Sequence, residues 1–486
     1  MLLAVVLLVL ALSGGNGTPT TVPNEIYDTI IVGLGSAGST AASTLCKAGR
    51  RVLALEAQNR IGGRVHTVPF GDGIVELGAE WIHGTQASRV YDLAVANNVT
   101  IIPDDWSFEI YRSDGSTANK TLVEELVNFG LSVTYDPPEK PEPAGQYITR
   151  RLMEYIQTKH PQLLADKDFI DELLKFMDLL INTIEGSSSW NDVSTDGHYK
   201  ELKGHQSMSW NRYGYKTFFE ILLNTYKGGP GFPNLDIKLN TEVTQISWPQ
   251  DPAADVVVTC KDGATYRARN VIVTVSLGVL KERHHKLFTP NLPQDKITAI
   301  EKMSIGVLVK IIFSYQEIWW NRDRNYFGFL WKGVDRQGVA KEDEWITKTN
   351  AISTPRGSNN TLALWVNGDV ADVVETLPDD EIKSKVLGLL KRFMGKDMTI
   401  PEPTAMIRST WYSNPYTRGS YTYDNLLVTQ YPNARSTLAA PLVDSSGSPR
   451  VLFAGEATNP IHFSTVHGAS ETGYREANRL LPQAKN

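Results

Sequence analysis

Short apolar runs recur along the chain and predict the strands of a first sheet. Residues 28–50 combine a β-like run, a glycine-rich turn and a helical pattern, and a second β-like run covers residues 51–55. Later runs of the same kind lie at residues 235–243, 256–259, 270–275 and 450–454. The last of them precedes a helical pattern from about residue 468 to 481. These elements therefore lie at the start, the middle and the end of the chain.

The hydrophobic pattern in the segments between these predicted strands is different. Leu, Ile, Glu and Lys recur at helical spacing over residues 122–182, with a proline-rich break at residues 136–144. Alternating apolar runs at residues 307–313, 363–366 and 406–411 predict a second sheet. We therefore expect an α/β fold with an α+β substrate part. A discontinuous Rossmann-like nucleotide-binding domain would carry an inserted domain of a sheet plus helices.

Composition narrows the possible partners. The chain has 486 residues, enough for two domains, and 48 basic against 54 acidic side chains give a net charge of −6. That balance argues against a nucleic-acid-binding surface and is compatible with a cationic substrate. Cys46 and Cys260 are too few for a metal-binding CxxC pair, so no metal site is expected, and two buried free thiols are favoured over one disulfide.

The N-terminus predicts export from the cell. Residues 1–13 are almost entirely apolar and small residues follow, which is typical of a secretory signal peptide over residues 1–17. A membrane anchor is the alternative, but a spanning helix needs ~20 apolar residues, so no integral membrane span is expected. Sequons that would allow N-glycosylation lie at Asn16, Asn98, Asn119 and Asn359. We therefore expect a secreted glycoprotein.

A glycine pattern after the first predicted strand indicates a dinucleotide site. Gly33, Gly35 and Gly38 stand in GxGxxG spacing between a strand and a helix, and Glu56 ends the next strand. In this arrangement the glycines permit a tight turn and close approach of a diphosphate to the helix N-terminus, while the acid accepts the ribose hydroxyls. The glycines and Glu56 alone do not separate NAD from FAD.

Four further segments resemble those of one enzyme family. They are EAQNRIGGR at 56–64, ELGAEWIHG at 76–84, FAGEAT at 453–458 and STVHGA at 464–469. Together they resemble the FAD-dependent amine oxidase family over essentially the whole chain after residue 17, and within it the animal polyamine oxidases. The resemblance implies an FAD-binding domain of residues 25–95, 235–290 and 445–486. It implies a substrate-binding domain of residues 96–234 and 291–444.

The resemblance also implies which residues hold FAD. Arg64 would bind the diphosphate, with a surface salt bridge as the alternative, and Glu456 would accept from the ribitol or diphosphate region. The backbone of Val243 would hold the adenine, although a valine there is also typical of core. The other implied contacts are Gly63, Trp81, Thr465 and Val466. Ser420 stands where related monoamine oxidases have the cysteine that links FAD, so non-covalent FAD is expected.

Five positions are candidates for catalysis and substrate binding. By resemblance, Lys310 would hold a water against the flavin, although a lysine in so apolar a strand is otherwise an edge residue. His83 would bond the substrate or tune its protonation, with a structural histidine as the alternative. Tyr421 and Thr465 would form the two walls that align the amine, and Tyr421 could instead be a core ring. Glu185 would meet a distal ammonium, or lie in a solvated loop.

The reaction implied is oxidation of a polyamine by oxygen. The carbon next to a secondary amine nitrogen would lose a hydride equivalent to the flavin, and hydrolysis would yield an aldehyde, a shorter amine and hydrogen peroxide. The alternatives are a histone-lysine demethylase, an amino acid oxidase and a secreted flavoprotein without turnover. The choice among spermine, spermidine and their N-acetyl forms, the bond cleaved and the oligomeric state stay open.

Overall fold

The computed structural model describes residues 26–482, so the predicted signal peptide and Asn16 lie outside the described residues. In chain order the strands are β1 Ile26–Val32, β2 Val52–Leu55, β3 Thr67–Phe70, β4 Gly73–Glu76, β5 Trp81–Ile82, β6 Ile102–Pro103, β7 Phe108–Arg112, β8 Met208–Ser209, β9 Leu235–Lys238, β10 Val243–Ser247, β11 Val256–Cys260, β12 Thr265–Val273, β13 Phe288–Thr289, β14 Ser304–Ile305, β15 Leu308–Ser314, β16 Tyr326–Leu330, β17 Thr349–Ser353, β18 Thr361–Asn367, β19 Ala405–Arg408, β20 Thr422–Tyr423, β21 Leu442–Val443 and β22 Pro449–Phe453.

The α-helices are α1 Ser36–Lys47, α2 Arg89–Ala96, α3 Lys120–Ser132, α4 Ala144–Lys159, α5 Lys167–Glu185, α6 Lys216–Leu222, α7 Leu277–Leu287, α8 Gln294–Lys302, α9 Gly333–Gln337, α10 Ala371–Val374, α11 Asp379–Met394, α12 Ala434–Ala439 and α13 Val466–Arg479. Short 3-10 helices cover Val133–Tyr135, Pro161–Ala165, Asn211–Tyr213, Tyr226–Gly228, Lys341–Lys348 and Glu456–Thr458.

The larger sheet has a parallel core in the order β9, β2, β1, β12 and β22. Strands β10 and β11 add an antiparallel side to β12. Buried residues fill β1 and β2, as expected for parallel strands covered on both faces. The sheet draws its strands from the beginning, the middle and the end of the described chain, and the predicted α/β fold class is confirmed. The exact domain boundaries stay a prediction.

Helices α1 and α13 pack closely on the larger sheet. A Cβ on Gly473 would lie 2.0 Å from the carbonyl oxygen of Ala37, so only glycine permits this approach. The hydroxyl oxygens of Thr40 and Ser470 lie 2.8 Å apart across the same contact. This contact joins the first and last helices and positions both of their N-termini.

The second sheet has the strand order β19, β15, β18, β17, β16 and β7. One face packs on α11, and the other packs on the helices α3, α4 and α5. Those three helices confirm the predicted helical segment and its proline-rich break. Side chains alternate along β15, so Val309 and Ile311 enter the α11 core and Lys310 points to the opposite face.

Two of the predicted strands differ from the structure. Residues 235–243 form parts of two strands, because Asn240 takes a φ of 53° and turns the chain between β9 and β10. Only one of the two lies beside β2, and the other pairs with β11. The run 406–411 also ends early, since β19 stops at Arg408.

Both cysteines are buried free thiols, as the sequence favours. Burial raises the pKa of Cys46 to about 12 and that of Cys260 to about 11. None of the helices among residues 26–482 is long and apolar enough to cross a membrane. Across the same residues, no group of three His, Cys, Asp or Glu side chains could hold a metal ion.

Candidate functional site

A large cavity lies between the two sheets. Its volume is about 1210 Å³, above the ~300–1,000 Å³ of ordinary small-molecule sites, so it has room for a large cofactor together with a substrate. It is bounded by the β1–α1 turn at one end and by helix α5 at the other. Of the residues that the sequence nominates, the following line it: Gly33, Gly35, Glu56, Gly63, Arg64, Trp81, His83, Glu185, Val243, Lys310, Tyr421, Glu456, Thr465 and Val466.

The glycines after β1 form a cradle at the start of α1. Gly33 has a φ of 95°, and a Cβ on Gly38 would lie 2.0 Å from the carbonyl oxygen of Gly33. Gly38 therefore packs behind the turn and is absent from the cavity wall. Gly35 is the N-cap of α1 and supplies no side chain to satisfy the first N–H groups. Beyond its own neighbours and helix α1, a Cβ there would come no closer than 3.9 Å to another described residue, so its face is open for a ligand phosphate.

Glu56 lies buried at the end of β2. One carboxylate oxygen accepts a 2.7 Å hydrogen bond from the backbone N–H of Leu34, and the other accepts a 2.9 Å bond from that of Gln58. Burial outweighs these bonds and raises the pKa of Glu56 above its ordinary value. Each oxygen keeps a further lone pair, as a ribose diol requires.

Arg64 and Glu456 form an ion pair on the cavity wall. Nη1 of Arg64 donates to Oε1 of Glu456 at 2.9 Å and to the carbonyl oxygen of Ser420 at 2.6 Å. The other oxygen of Glu456 accepts from the hydroxyl of Thr422 and from the N–H of Ser464. Burial opposes ionisation of Glu456, but Arg64 and these hydrogen bonds hold its pKa below the ordinary value. Arg64 therefore forms a partly buried ion pair on the cavity wall and not a surface salt bridge.

The remaining predicted FAD-binding residues on the cavity wall include the first residues of a strand and of a helix. Val243 begins β10, and Val466 begins α13, where its carbonyl oxygen accepts from the hydroxyl of Ser36 at 2.8 Å. Gly63 has a φ of 58° and faces Gly35 across the turn. The uncapped helix, the open glycines and the acid with free lone pairs fit a dinucleotide such as FAD.

Lys310 is buried and makes more contacts than the sequence predicts. Its Nζ donates to the carbonyl oxygens of Glu76 at 3.1 Å and Gly78 at 2.8 Å, and to Oε2 of Glu80 at 2.8 Å. It also lies 4.3 Å from the ring centroid of Trp365, its cross-strand neighbour on β18. Neither Glu80 nor Trp365 is among the site residues that the sequence predicts.

Trp81 begins β5, and His83 follows its last residue. The indole N–H of Trp81 donates to Asp104 at 2.9 Å, and its ring lies parallel to that of Trp365 at 5.8 Å. Nδ1 of His83 lies 2.6 Å from the carbonyl oxygen of Gln206, so this nitrogen carries the proton. Burial lowers the pKa of His83. The histidine is therefore neutral, with Nε2 as an acceptor.

Tyr421 and Thr465 are both held by the protein. The hydroxyl of Tyr421 donates to the carbonyl oxygen of Thr183 at 2.5 Å, and a Cβ on Gly186 would lie 2.7 Å from its ring. The hydroxyl of Thr465 donates to the carbonyl oxygen of His462 and accepts from Gly468 as the N-cap of α13. The same hydroxyl oxygen also lies 3.3 Å from Nε2 of His467, so three groups of the protein surround it.

Glu185 ends α5 and faces the cavity. Gly186 follows it with a φ of 76° and terminates the helix. The carboxylate of Glu185 makes no hydrogen bond within residues 26–482. Burial raises its pKa to about 7, with Asp424 adding to the shift and Arg435 opposing it. The surroundings are those of a partly buried carboxylate without a partner, rather than those of a solvated loop.

Ser420 occupies the position expected for a covalent link to FAD in monoamine oxidases. Its hydroxyl oxygen accepts from the N–H of Leu308 at 2.8 Å and donates to the carbonyl oxygen of the same residue at 3.2 Å. The hydroxyl therefore ties the loop before β20 to the start of β15.

Several known proteins similar to this chain are named as oxidases of polyamines. The chain is 30% identical to the peroxisomal N(1)-acetyl-spermine/spermidine oxidase of Bos taurus over 96% of the chain and 98% of that protein. It is 30% identical to the Homo sapiens enzyme of the same name, over 93% and 94%. It is 28% identical to probable polyamine oxidase 5 of Arabidopsis thaliana, over 94% and 98%.

These relatives correct the predicted location. The bovine and human enzymes are named as peroxisomal, so the prediction that this chain is secreted is wrong. An apolar run such as residues 1–13 fits a signal peptide by composition alone, which is a weak criterion. Glycosylation depends on export and is not supported either. The Asn359 side-chain amide already donates to Asp72 at 2.8 Å, and Asn119 caps α3.

A family model described as flavin containing amine oxidoreductase matches residues 36–481. The match includes the helix that follows the glycine turn, the second sheet, the strands of the larger sheet after β1 and the closing helix. It covers all four of the amine-oxidase segments found in the sequence, and it also includes Lys310. The chain belongs to the flavin-containing amine oxidoreductase family.

Proposed function

We propose that this protein is an FAD-dependent polyamine oxidase that converts a polyamine and oxygen to an aldehyde, a shorter amine and hydrogen peroxide. One observation carries the proposal. A single cavity connects the dinucleotide cradle with Lys310 and with Glu185, a carboxylate that has no hydrogen-bond partner among residues 26–482. Such a cavity suits a long cation that must reach a flavin at one end and be held by its charge at the other. The relatives support the same chemistry.

The cofactor would be held without a covalent bond. The α1 N-terminus and Arg64 would bind the diphosphate, Glu56 the ribose hydroxyls, and the backbone of Val243 the adenine. Glu456 would orient Arg64, because the ion pair fixes one of its guanidinium nitrogens. When bound, FAD takes a hydride equivalent from the carbon beside an amine nitrogen and passes the electrons to oxygen.

The protein must present one neutral nitrogen to the flavin. His83 serves as the acceptor for that nitrogen, because its proton is on Nδ1 and its Nε2 is free. Its lowered pKa keeps it neutral, so it does not repel the cationic substrate. Tyr421 and Thr465 align the reacting amine, since the contact of Tyr421 with Thr183 fixes the ring and the contact of Thr465 with His462 fixes its hydroxyl.

Glu185 holds the distal ammonium of the substrate. A carboxylate with no protein partner gains a charge-assisted hydrogen bond when the ammonium arrives. Its pKa near 7 means that the substrate also stabilises its ionised form. This feature favours polyamines over simple monoamines, which would leave the carboxylate unpaired.

The two domains can be assigned from the parts of the chain that form the larger sheet. We propose residues 25–95, 235–290 and 445–486 as the FAD-binding domain and residues 96–234 and 291–444 as the substrate-binding domain. The larger sheet supports this, because all of its strands except β21 come from those three stretches.

Peroxide release from the FAD-loaded protein tests the proposal. The panel comprises spermine, spermidine, their N-acetyl forms, primary monoamines, L-amino acids and a methylated histone tail peptide. We expect turnover with one or more polyamines and little with the other classes. Turnover confined to the histone peptide or to amino acids would contradict the proposal. A flavin spectrum that no amine bleaches without oxygen would indicate a binding protein.

A further inference from the structure

Lys310 has no N–H donor left for a ligand. An ammonium has three donors, and all three go to Glu76, Gly78 and Glu80. The side chain is 2% exposed, so water does not compete for these bonds. Two of the acceptors are neutral carbonyl oxygens, and the third is a carboxylate.

Glu80 is the charge partner of Lys310. Its Oε2 lies 2.8 Å from Nζ, its side chain is 10% exposed, and it lines the cavity beside the lysine. Its carboxylate makes no other hydrogen bond among the described residues. The nearby carboxyl of Glu76 is a poor alternative, because burial raises its pKa to about 8 and keeps it largely neutral at pH 7.

We propose that Glu80 is a positioning residue that fixes the ammonium of Lys310 and compensates its charge, so that the flavin faces a nearly neutral pair. The inference rests on the proposed function, which places Lys310 beside the flavin. Without Glu80, the lysine would present an uncompensated positive charge and would stabilise the reduced flavin. Glu80 therefore sets the reduction potential of the bound cofactor.

The test is the two-electron midpoint potential of the bound FAD in four proteins: the unaltered chain, Glu80→Gln, Lys310→Met and the double variant. In Glu80→Gln the amide oxygen still accepts from Nζ, so the contact is kept and only the charge is lost. We expect this variant to raise the ratio of reduced to oxidised flavin at a given potential at least tenfold, or ~30 mV for a two-electron couple. Lys310→Met should shift the potential downward, and the double variant should return it towards the unaltered value.

Glu124→Gln is the matched control, because Glu124 lines the same cavity and pairs instead with Lys120. Its potential should not move. An unchanged potential in Glu80→Gln would overturn the proposal. If that variant does not yield loaded protein, the double variant is compared with Lys310→Met, and equal potentials would overturn it as well.

These potentials require bound FAD but no amine turnover. If the potentials shift as expected while no polyamine yields peroxide, the pairing of Glu80 with Lys310 stands and the proposed substrate fails. If polyamines turn over while neither variant shifts the potential, the proposed function stands and this inference fails.

Discussion

Replacing Glu185 with glutamine tests how the protein recognises a polyamine. The carboxylate is half-buried at the end of α5 and has no hydrogen bond within the described part of the chain. The rise of its pKa from 4.5 to about 7 corresponds to roughly 3 kcal/mol of destabilisation of the charged form. An ammonium bound beside it would recover much of that free energy.

The expected size of the effect follows from the charged hydrogen bond that is lost. Such bonds contribute roughly 1.5 to 3 kcal/mol, and each 1.4 kcal/mol is tenfold in affinity. Glu185→Gln should therefore raise KM for spermine about 10- to 150-fold. Turnover at saturation should change less than KM, because glutamine keeps the size of the side chain and leaves His83 and the hydrogen bond from Tyr421 to Thr183 in place. An acetylated polyamine whose acetyl end occupies this subsite should be affected less.

The assay is peroxide release against concentration for spermine, N-acetylspermine and a primary monoamine. Glu124→Gln is the control for removing a cavity carboxylate that is already paired. In the unaltered enzyme, KM for spermine should also rise as the pH falls through about 7, because the carboxylate is protonated. Equal effects of Glu185→Gln on spermine and on the monoamine would refute the distal role.

Three further predictions concern the cofactor and stability. Gly38→Ala should abolish FAD binding or folding, since its Cβ would lie 2.0 Å from the Gly33 oxygen; normal flavin content would contradict this. Acid precipitation should leave FAD in the supernatant, because Ser420 cannot form a thioether; flavin in the pellet would contradict it. Burial raises the pKa of Glu76 from 4.5 to about 8, so in this range the folded chain holds a proton that the unfolded chain has lost. The contribution of this residue to the free energy of unfolding therefore falls as pH rises from about 4.5 to 8. Glu76→Gln should flatten that slope in urea titrations, and an unchanged slope would contradict the assignment.

The cofactor end of the site could be predicted because its signals are local. Gly33, Gly35 and Glu56 are contributed by one strand, one turn and the next strand, and their roles depend on backbone conformations that the sequence pattern indicates. The resemblance then extended the prediction to residues far along the chain. Fourteen nominated residues line one cavity, and the exception, Gly38, acts through the packing behind the turn.

The contacts around Lys310 could not be predicted in the same way. Glu80 and Lys310 are 230 positions apart, and their pairing requires β15 to pack against the loop after β4. Trp365 meets the lysine only because of the register between β15 and β18. No periodicity in a single sequence specifies such a register. For a related reason the sequence does not predict that residues 235–243 divide into two strands at Asn240. A left-handed conformation at a non-glycine residue has only a weak signal in the composition.

The two glutamates on either side of Gly78, Glu76 and Glu80, differ in their surroundings and not in residue type. Glu76 accepts from the N–H of Tyr215 and from the hydroxyl of Thr67 in a fully enclosed position, so its carboxyl favours the neutral form. Glu80 instead faces the cavity and meets an ammonium at 2.8 Å. Pairs of carboxyls whose surroundings differ in this way take different protonation states and different tasks. The segment therefore supplies Lys310 with two backbone carbonyl acceptors and one carboxylate partner, and only the carboxylate partner can compensate the charge of the ammonium.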